Sequence, residues 1–235
     1  MKNRPLLEIC VETLATALAA ARGGADRIEL CENLRVGGVT PSAELMRAAR
    51  KQIQIPIFAM IRPRAGDFFY SEKEFAAMIR ELATVKESGM DGAVFGLLDA
   101  NRRADVRRTR TLVEMARPLP VTFHRAFDET ENLMHALGDV IATGASKILT
   151  SGGEASVEEG IATIAELVEA SRGRIEIMPG GGISAGNIEW VLRMTRAREF
   201  HSGLSTVLPS PVTDLMAFET EVCKLAELSR KGLPV

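Results

Sequence analysis

The stretch Val121-Thr122-Phe123-His124-Arg125-Ala126-Phe127-Asp128-Glu129 decides how the chain is read. It starts as a strand: Val121, Thr122 and Phe123 are β-branched or aromatic and follow Pro118 and Pro120. It ends in a polar cluster, His124, Arg125 and Asp128, and a helical pattern follows from Thr130. A buried strand therefore delivers an imidazole, a guanidinium and a carboxylate at its carboxyl end. In parallel α/β folds that end is where ligands bind.

The same arrangement recurs on both sides. Strand patterns at Leu6–Val11, Arg27–Cys31, Ile55–Ile61 and Gly92–Leu98 precede it, each followed by a helical pattern, and Lys147–Thr150, Ile175–Pro179 and Glu199–His201 follow it. The helices carry their own signals. Glu12–Arg22 stops at Gly23-Gly24, Ser71 with Glu74 and Ser156 with Glu159 have capping-box spacing, and the last helix spans Thr213–Arg230. Eight strand–helix units with no linker between them predict a parallel (β/α)8 barrel in one domain, 1–235, slightly under the typical length of about 250 residues. The rival is a doubly wound sheet, for which Gly180-Gly181-Gly182-Ile183-Ser184-Ala185 supplies a loose dinucleotide fingerprint with Glu199 as the ribose-binding acid. That match is late in the chain, and a lone glycine-rich turn is weak evidence. Leu7-Glu8-Ile9-Cys10 and Ile28-Glu29-Leu30-Cys31 echo each other, as equivalent positions on adjacent strands would.

Composition narrows the function. Hydrophobic residues make up 46% of the 235, enough for a core, so disorder is excluded. With 29 Lys+Arg against 31 Asp+Glu the net charge is −2, which fits neither a nucleic-acid binder nor a polybasic membrane binder. Three cysteines, Cys10, Cys31 and Cys223, argue against a disulfide scaffold and for a reducing compartment. Glu8 and Glu12 interrupt the apolar part of the N-terminal stretch, so it is not read as a signal peptide. No uncharged apolar run approaches the roughly 18 residues of a membrane span. The expectation is a soluble cytoplasmic protein.

Alternation along the strands sorts side chains between the barrel axis and the helix layer. Leu7, Ile9, Ile28 and Leu30 are expected outside. Glu8, Cys10, Glu29 and Cys31 are expected inside, with Thr122 and His124, Glu176, Met178 and Gly180, and Glu199 and His201. Arg62 and Arg64 share a phase just past the third strand. Charges in a dry interior cost several kcal/mol each unless paired. Such a barrel holds either a structural ion network, in which Glu8 and Glu29 pair with Arg62 and Arg64, or a ligand. His201 alone reads more readily as a satisfied core histidine than as a catalyst. His124, followed within a turn by Arg125 and Asp128, points to a functional role. His135 is expected on the surface and Cys223 in ordinary packing. The glycine-rich turn Gly180–Gly182 and the loop after His201 are placed to hold an anion with backbone N–H groups.

Several motifs together resemble the CutC copper-homeostasis family. They are Glu8-Ile9-Cys10, Gly24–Cys31, Gly37-Gly38-Val39-Thr40-Pro41-Ser42, Met60–Phe68, Val121–Asp128, Leu149-Thr150-Ser151-Gly152 and Met178–Ile183, spread over nearly the whole chain. The resemblance implies a (β/α)8 barrel, a cytoplasmic homo-oligomer with a dimer favoured, and a role in copper handling. It carries Cu(I)-ligand candidates onto Cys10 and Cys31. Shared polar residues fall on Glu8, Glu29, Arg62, Arg64, Asp67, His124, Arg125, Asp128, Ser151 and His201. The chain departs from the family after His201, where Ser202-Gly203-Leu204 replaces Ser-Ala and the segment before the last helix is short.

Two functions follow. The first is Cu(I) binding. Soft thiolates suit Cu(I), and strands about 4.8 Å apart let inward-facing Cys10 and Cys31 share one ion; the same spacing permits a disulfide or two inert core thiols. The second is an enzyme of lyase or proton-transfer type acting on a small anionic, possibly phosphorylated, metabolite. There His124 is the acid/base, oriented by Asp128 or a neighbouring acid, with Glu8 and Glu29 in the catalytic set. Arg62 and Arg64 grip the anion, and Asp67, Arg125, Ser151, Gly180, Gly181, Gly182 and His201 complete the binding set. No organic cofactor is evident, and Lys147 sits at a strand start, the wrong place for a Schiff base.

Overall fold

The structure, a computed structural model, describes residues 4–209 and 211–230; the first three residues of the stretch weighed as a leader lie outside the described residues. The units run in order. They are β1 (Leu6–Val11) and α1 (Leu14–Arg22), β2 (Arg27–Leu30) and α2 (Ala43–Gln52), β3 (Ile57–Met60) and α3 (Glu72–Glu87), and β4 (Gly92–Phe95) and α4 (Val106–Ala116). The second half comprises β5 (Val121–Phe123) and α5 (Leu133–Thr143), β6 (Lys147–Thr150) and α6 (Ile161–Ser171), β7 (Glu176–Pro179) and α7 (Ile188–Thr195), and β8 (Glu199–Ser202) and α8 (Leu215–Arg230). The strands are parallel and bonded in the order β7-β6-β5-β4-β3-β2-β1-β8. β7 and β8 lie side by side at the seam, so the sheet is a nearly closed (β/α)8 barrel. Strand order follows chain order without reversal. A doubly wound sheet, which requires a switch point, is thereby excluded.

The inside–outside sorting follows the pleat. Leu7, Ile9, Ile28 and Leu30 join the belt between sheet and helices, with Ala17, Ala20 and Met46 among their buried neighbours. Each such Leu or Ile contributes roughly 1.5–3 kcal/mol by leaving water. Cys10, Cys31, Phe58, Met60 and Val94 form a separate cluster.

Ser71 and Glu74 close the capping box at the start of α3. At α6 the expected box does not start the helix. Ser156 Oγ does accept from the Glu159 N–H at 3.3 Å, but helix begins only at Ile161. The reason is close approach: a Cβ on Gly160 would sit 1.8 Å from the Ser151 carbonyl oxygen. The chain is pressed against the loop after β6 before it can wind.

Candidate functional site

Register builds the site from the bottom up. Glu8 on β1 is the Cα partner of Arg27 on β2 and of His201 on β8, and Cys10 is the partner of Glu29. In the lower layer Arg27 is ion-paired with Glu8. It also donates to Glu199 at 2.6 Å and to the Met178 sulfur at 3.2 Å, and lies 4.6 Å from the centre of the Phe58 ring. Lys147 donates to the other Glu199 oxygen at 2.5 Å, so it serves this ion network, as does the acid expected of a dinucleotide site. His201 Nδ1 completes Glu8 at 2.7 Å. Burial alone would raise the Glu8 carboxyl, but the Arg27 charge and His201 outweigh it and hold it at about 2. The pairing of Glu8 and Glu29 with Arg62 and Arg64 therefore does not occur; Arg27 is the interior arginine. Its signal was available, since Arg27, Glu29 and Cys31 share one phase of β2.

Directly above, Cys10 Sγ lies 3.6 Å from Cys31 Sγ and 3.3 Å from Glu29 Oε1. Both thiols are free. One ligand atom each from Cys10, Glu29 and His201 fall within 4.8 Å of one another, and Met60 packs in the same cluster as the thiols. Glu29 Oε2 is buried with no partner. The bond with Cys31, then burial, pushes the Cys10 thiol well above its usual pKa. Burial raises Glu29. His201 is lowered by burial but raised more by the charge of Glu29 and its bond to Glu8, for a net upward shift.

His124 follows β5 and is buried. Its Nδ1 accepts from the Ala126 N–H at 3.2 Å, which leaves the proton on Nε2, and Nε2 has no partner. Phe68 covers the ring at 4.8 Å between centroids. Burial, with the Arg62 charge, pushes the imidazole down to about 3. It is therefore neutral at physiological pH.

Asp128 does not orient His124. Its carboxylate accepts from Arg125 Nε at 2.8 Å, the Ser151 N–H at 3.0 Å, the Gly153 N–H at 3.1 Å and the Thr150 hydroxyl. With the Ser151 hydroxyl, which also lies 3.1 Å from the carboxylate, five donors converge on one acid and tie the loop after β5 to the loop after β6. Ser151 Oγ in turn accepts from Arg125 Nη2 at 2.6 Å. Arg62 lines the cavity; its Nη1 and Nη2 donate to the carbonyls of Val36, Gly38 and Gly66 and its Nε is buried with no partner, so the guanidinium is turned mainly to its own loops. Arg64 turns to Glu74 and Asp67 on the flank of α3. Neither Arg64 nor Asp67 reaches the cavity, because the loop after β3 folds back on the helix it precedes. Gly180 fits beneath Leu149, whose Cδ1 would lie 2.5 Å from a Cβ there; its role is close packing. His135 is exposed, and Cys223 is half-buried on α8.

A cavity of about 310 Å3 opens at the carboxyl ends of the strands. Cys10, Glu29 and His201 lie on its wall, as do His124, Arg125 and the pair Gly181–Gly182. Glu8, Cys31, Asp128 and Ser151 stand behind this surface rather than on it. The segment after His201 supplies a wall of its own through Gly203, Ser205, Leu208 and Pro209. Among the described residues no helix is long and apolar enough to cross a membrane.

A nearly closed ring of parallel strands, with thiol, imidazole and carboxylate gathered at its carboxyl mouth, defines a (β/α)8-barrel protein. The CutC family model matches residues 5–206. The copper homeostasis protein cutC homolog of Homo sapiens is 45% identical over 199 residues, covering 85% of this chain and 73% of that protein. The CutC family protein of Chromobacterium violaceum is 48% identical over 197 residues, covering 84% and 80%. The crystal structure of CutC from Streptococcus agalactiae superposes with a TM-score of 0.80 at 32% identity, over 85% of this chain and 98% of that one. The chain belongs to the CutC family. The family match ends at residue 206, so the cavity wall at Leu208 and Pro209 lies beyond it.

Proposed function

We propose that the protein takes part in copper homeostasis by holding Cu(I) at Cys10 and Cys31. The observation that carries this is the 3.6 Å separation of two buried free thiols, Cys10 on the cavity wall and Cys31 behind it. The donor set fits: thiolates select Cu(I) over harder ions, and Glu29 offers an oxygen without a partner. A linear S–metal–S unit with bonds of about 2.3 Å spans roughly 4.6 Å. Sulfurs at 3.6 Å are closer than that, so a third donor, Glu29 or His201, fits beside Cys10. X-ray absorption of the Cu(I)-loaded protein tests it. Two sulfur scatterers and one nitrogen or oxygen are expected; a shell without sulfur removes the proposal. A cytoplasmic setting and a homo-oligomer, dimeric by preference, belong to the same proposal, and sedimentation of the purified chain checks the second.

A second reading is favoured by one specific observation, the neutral, buried His124 with its Nε2 unpartnered in a ligand-sized cavity. In it the barrel mouth binds a small anionic metabolite, with lyase or proton-transfer chemistry at His124. His124→Ala would then abolish turnover while leaving Cu(I) affinity in place.

A further inference from the structure

The arginine at the cavity mouth has one edge held and one edge free. Asp128 takes Arg125 Nε at 2.8 Å, and Ser151 Oγ and the Glu154 carbonyl take Nη2 at 2.6 and 3.3 Å. Nη1 has no partner among the described residues, and it would lie 3.5 Å from a Cβ placed on Gly181. A guanidinium fixed on two sides presents its remaining N–H groups without further loss of side-chain entropy.

Gly181 and Gly182 both have left-handed backbone, with φ of +96° and +94°. Both line the same cavity. Their carbonyls are engaged, by the Val157 N–H and by Asn187 Nδ2, but neither N–H has a partner among the described residues. In a barrel the loop after the seventh strand often holds a phosphate, and unpaired backbone N–H groups beside an arginine are the donors such a ligand takes. A side chain at either position would need strained backbone and, at Gly181, would press on Ser151 Cβ at 3.0 Å.

The independent observation lies deeper. His124 lines the cavity, and its buried Nε2–H has no partner among the described residues. A buried unpaired donor costs about 1–3 kcal/mol, which an acceptor on a ligand recovers. The rest of the wall is largely apolar, with Phe68, Leu149 and Leu208, and also carries Glu12, Glu29 and Arg35. At about 310 Å3 the cavity is at the small end of ligand pockets, about 300–1,000 Å3.

We infer that this mouth binds a small phosphate monoester, its phosphate between Arg125 Nη1 and the Gly181 and Gly182 N–H groups and an oxygen of its body accepting from His124 Nε2–H. This rests on the small-molecule reading of the cavity and names its ligand class.

The test is calorimetry at fixed ionic strength with inorganic phosphate, glycerol 3-phosphate, ribose 5-phosphate and, as a carboxylate of similar size, succinate. Wild type, Arg125→Ala and His124→Phe are compared, with thermal melts to verify folding. Because Arg125 also braces two loops, the Gly181 and Gly182 amide shifts of the wild type are followed by NMR with the same ligands. Expected are saturable binding of the phosphates with movement of both amides, at least a tenfold weakening of all phosphates by Arg125→Ala, and weakening of an ester but not of inorganic phosphate by His124→Phe. Succinate binding without phosphate binding overturns the phosphate assignment and leaves the small-molecule reading standing. Binding of none of the probes overturns both. Phosphate binding that leaves both glycine amides unmoved overturns the cradle.

Discussion

Glu8 and Arg27 are ion-paired in the interior of the barrel, both nearly inaccessible to water. They are Cα partners across β1 and β2, so the sheet register itself brings them together. A buried pair contributes little net stability compared with apolar packing, but losing one partner strands a charge, at about 3–5 kcal/mol. Arg27→Met is therefore expected to lower unfolding free energy by about 3 kcal/mol or more, measured by urea denaturation. A loss under about 1 kcal/mol would contradict the pairing.

His124 sets an acid-side pH dependence. Unfolded, the imidazole titrates near its ordinary 6.5; folded, it resists protonation until about 3. Between those values the unfolded chain binds more protons, so stability falls as pH falls, and above 6.5 the residue contributes nothing. The full effect is on the order of 5 kcal/mol. Glu8, lowered to about 2 from 4.5, also withdraws stability over that lower window. His124→Phe should remove this loss of stability between pH 6.5 and 4.5, where Glu8 is silent and Glu29, raised by burial, acts in the opposite sense. An unchanged slope there would show that the imidazole is not buried neutral.

Asp128 is expected to act as a tie between loops. Asp128→Asn keeps the shape but exchanges an acceptor for a donor facing Arg125 and the Ser151 and Gly153 N–H groups. A loss of about 2 kcal/mol is expected, with faster hydrogen exchange at the Ser151 and Gly153 amides and unchanged Cu(I) affinity. Exchange rates equal to those of the native chain would remove this role.

Local pattern carried most of the architecture. Leu6–Val11 and Lys147–Thr150 have the bounds that their patterns predict. Alternation also placed Glu8, Cys10, Glu29 and His201 inside, because the pleat leaves no other choice. What the pattern could not carry was partner choice. Arg62 and Arg64 share a phase, yet one folds onto loop carbonyls and the other onto Glu74, since both stand past the end of β3, where alternation no longer governs direction. Asp128 looked like a partner for His124 because three residues separate them from the same loop. Its actual donors come from Thr150, Ser151 and Gly153, a long-range contact that sequence spacing does not encode. The late start of α6 has the same origin, a backbone approach between Gly160 and Ser151.

The most direct measurement is a titration of the fully reduced protein with Cu(I) against a competing chelator, beside the Cys10→Ser/Cys31→Ser double variant. With the Cys31 sulfur 3.6 Å behind that of Cys10 on the cavity wall, tight one-to-one binding is expected in the native protein and at least a hundredfold weakening in the variant. Equal affinity in the two, or binding too weak to compete with the chelator, would contradict a Cu(I) site at these thiols.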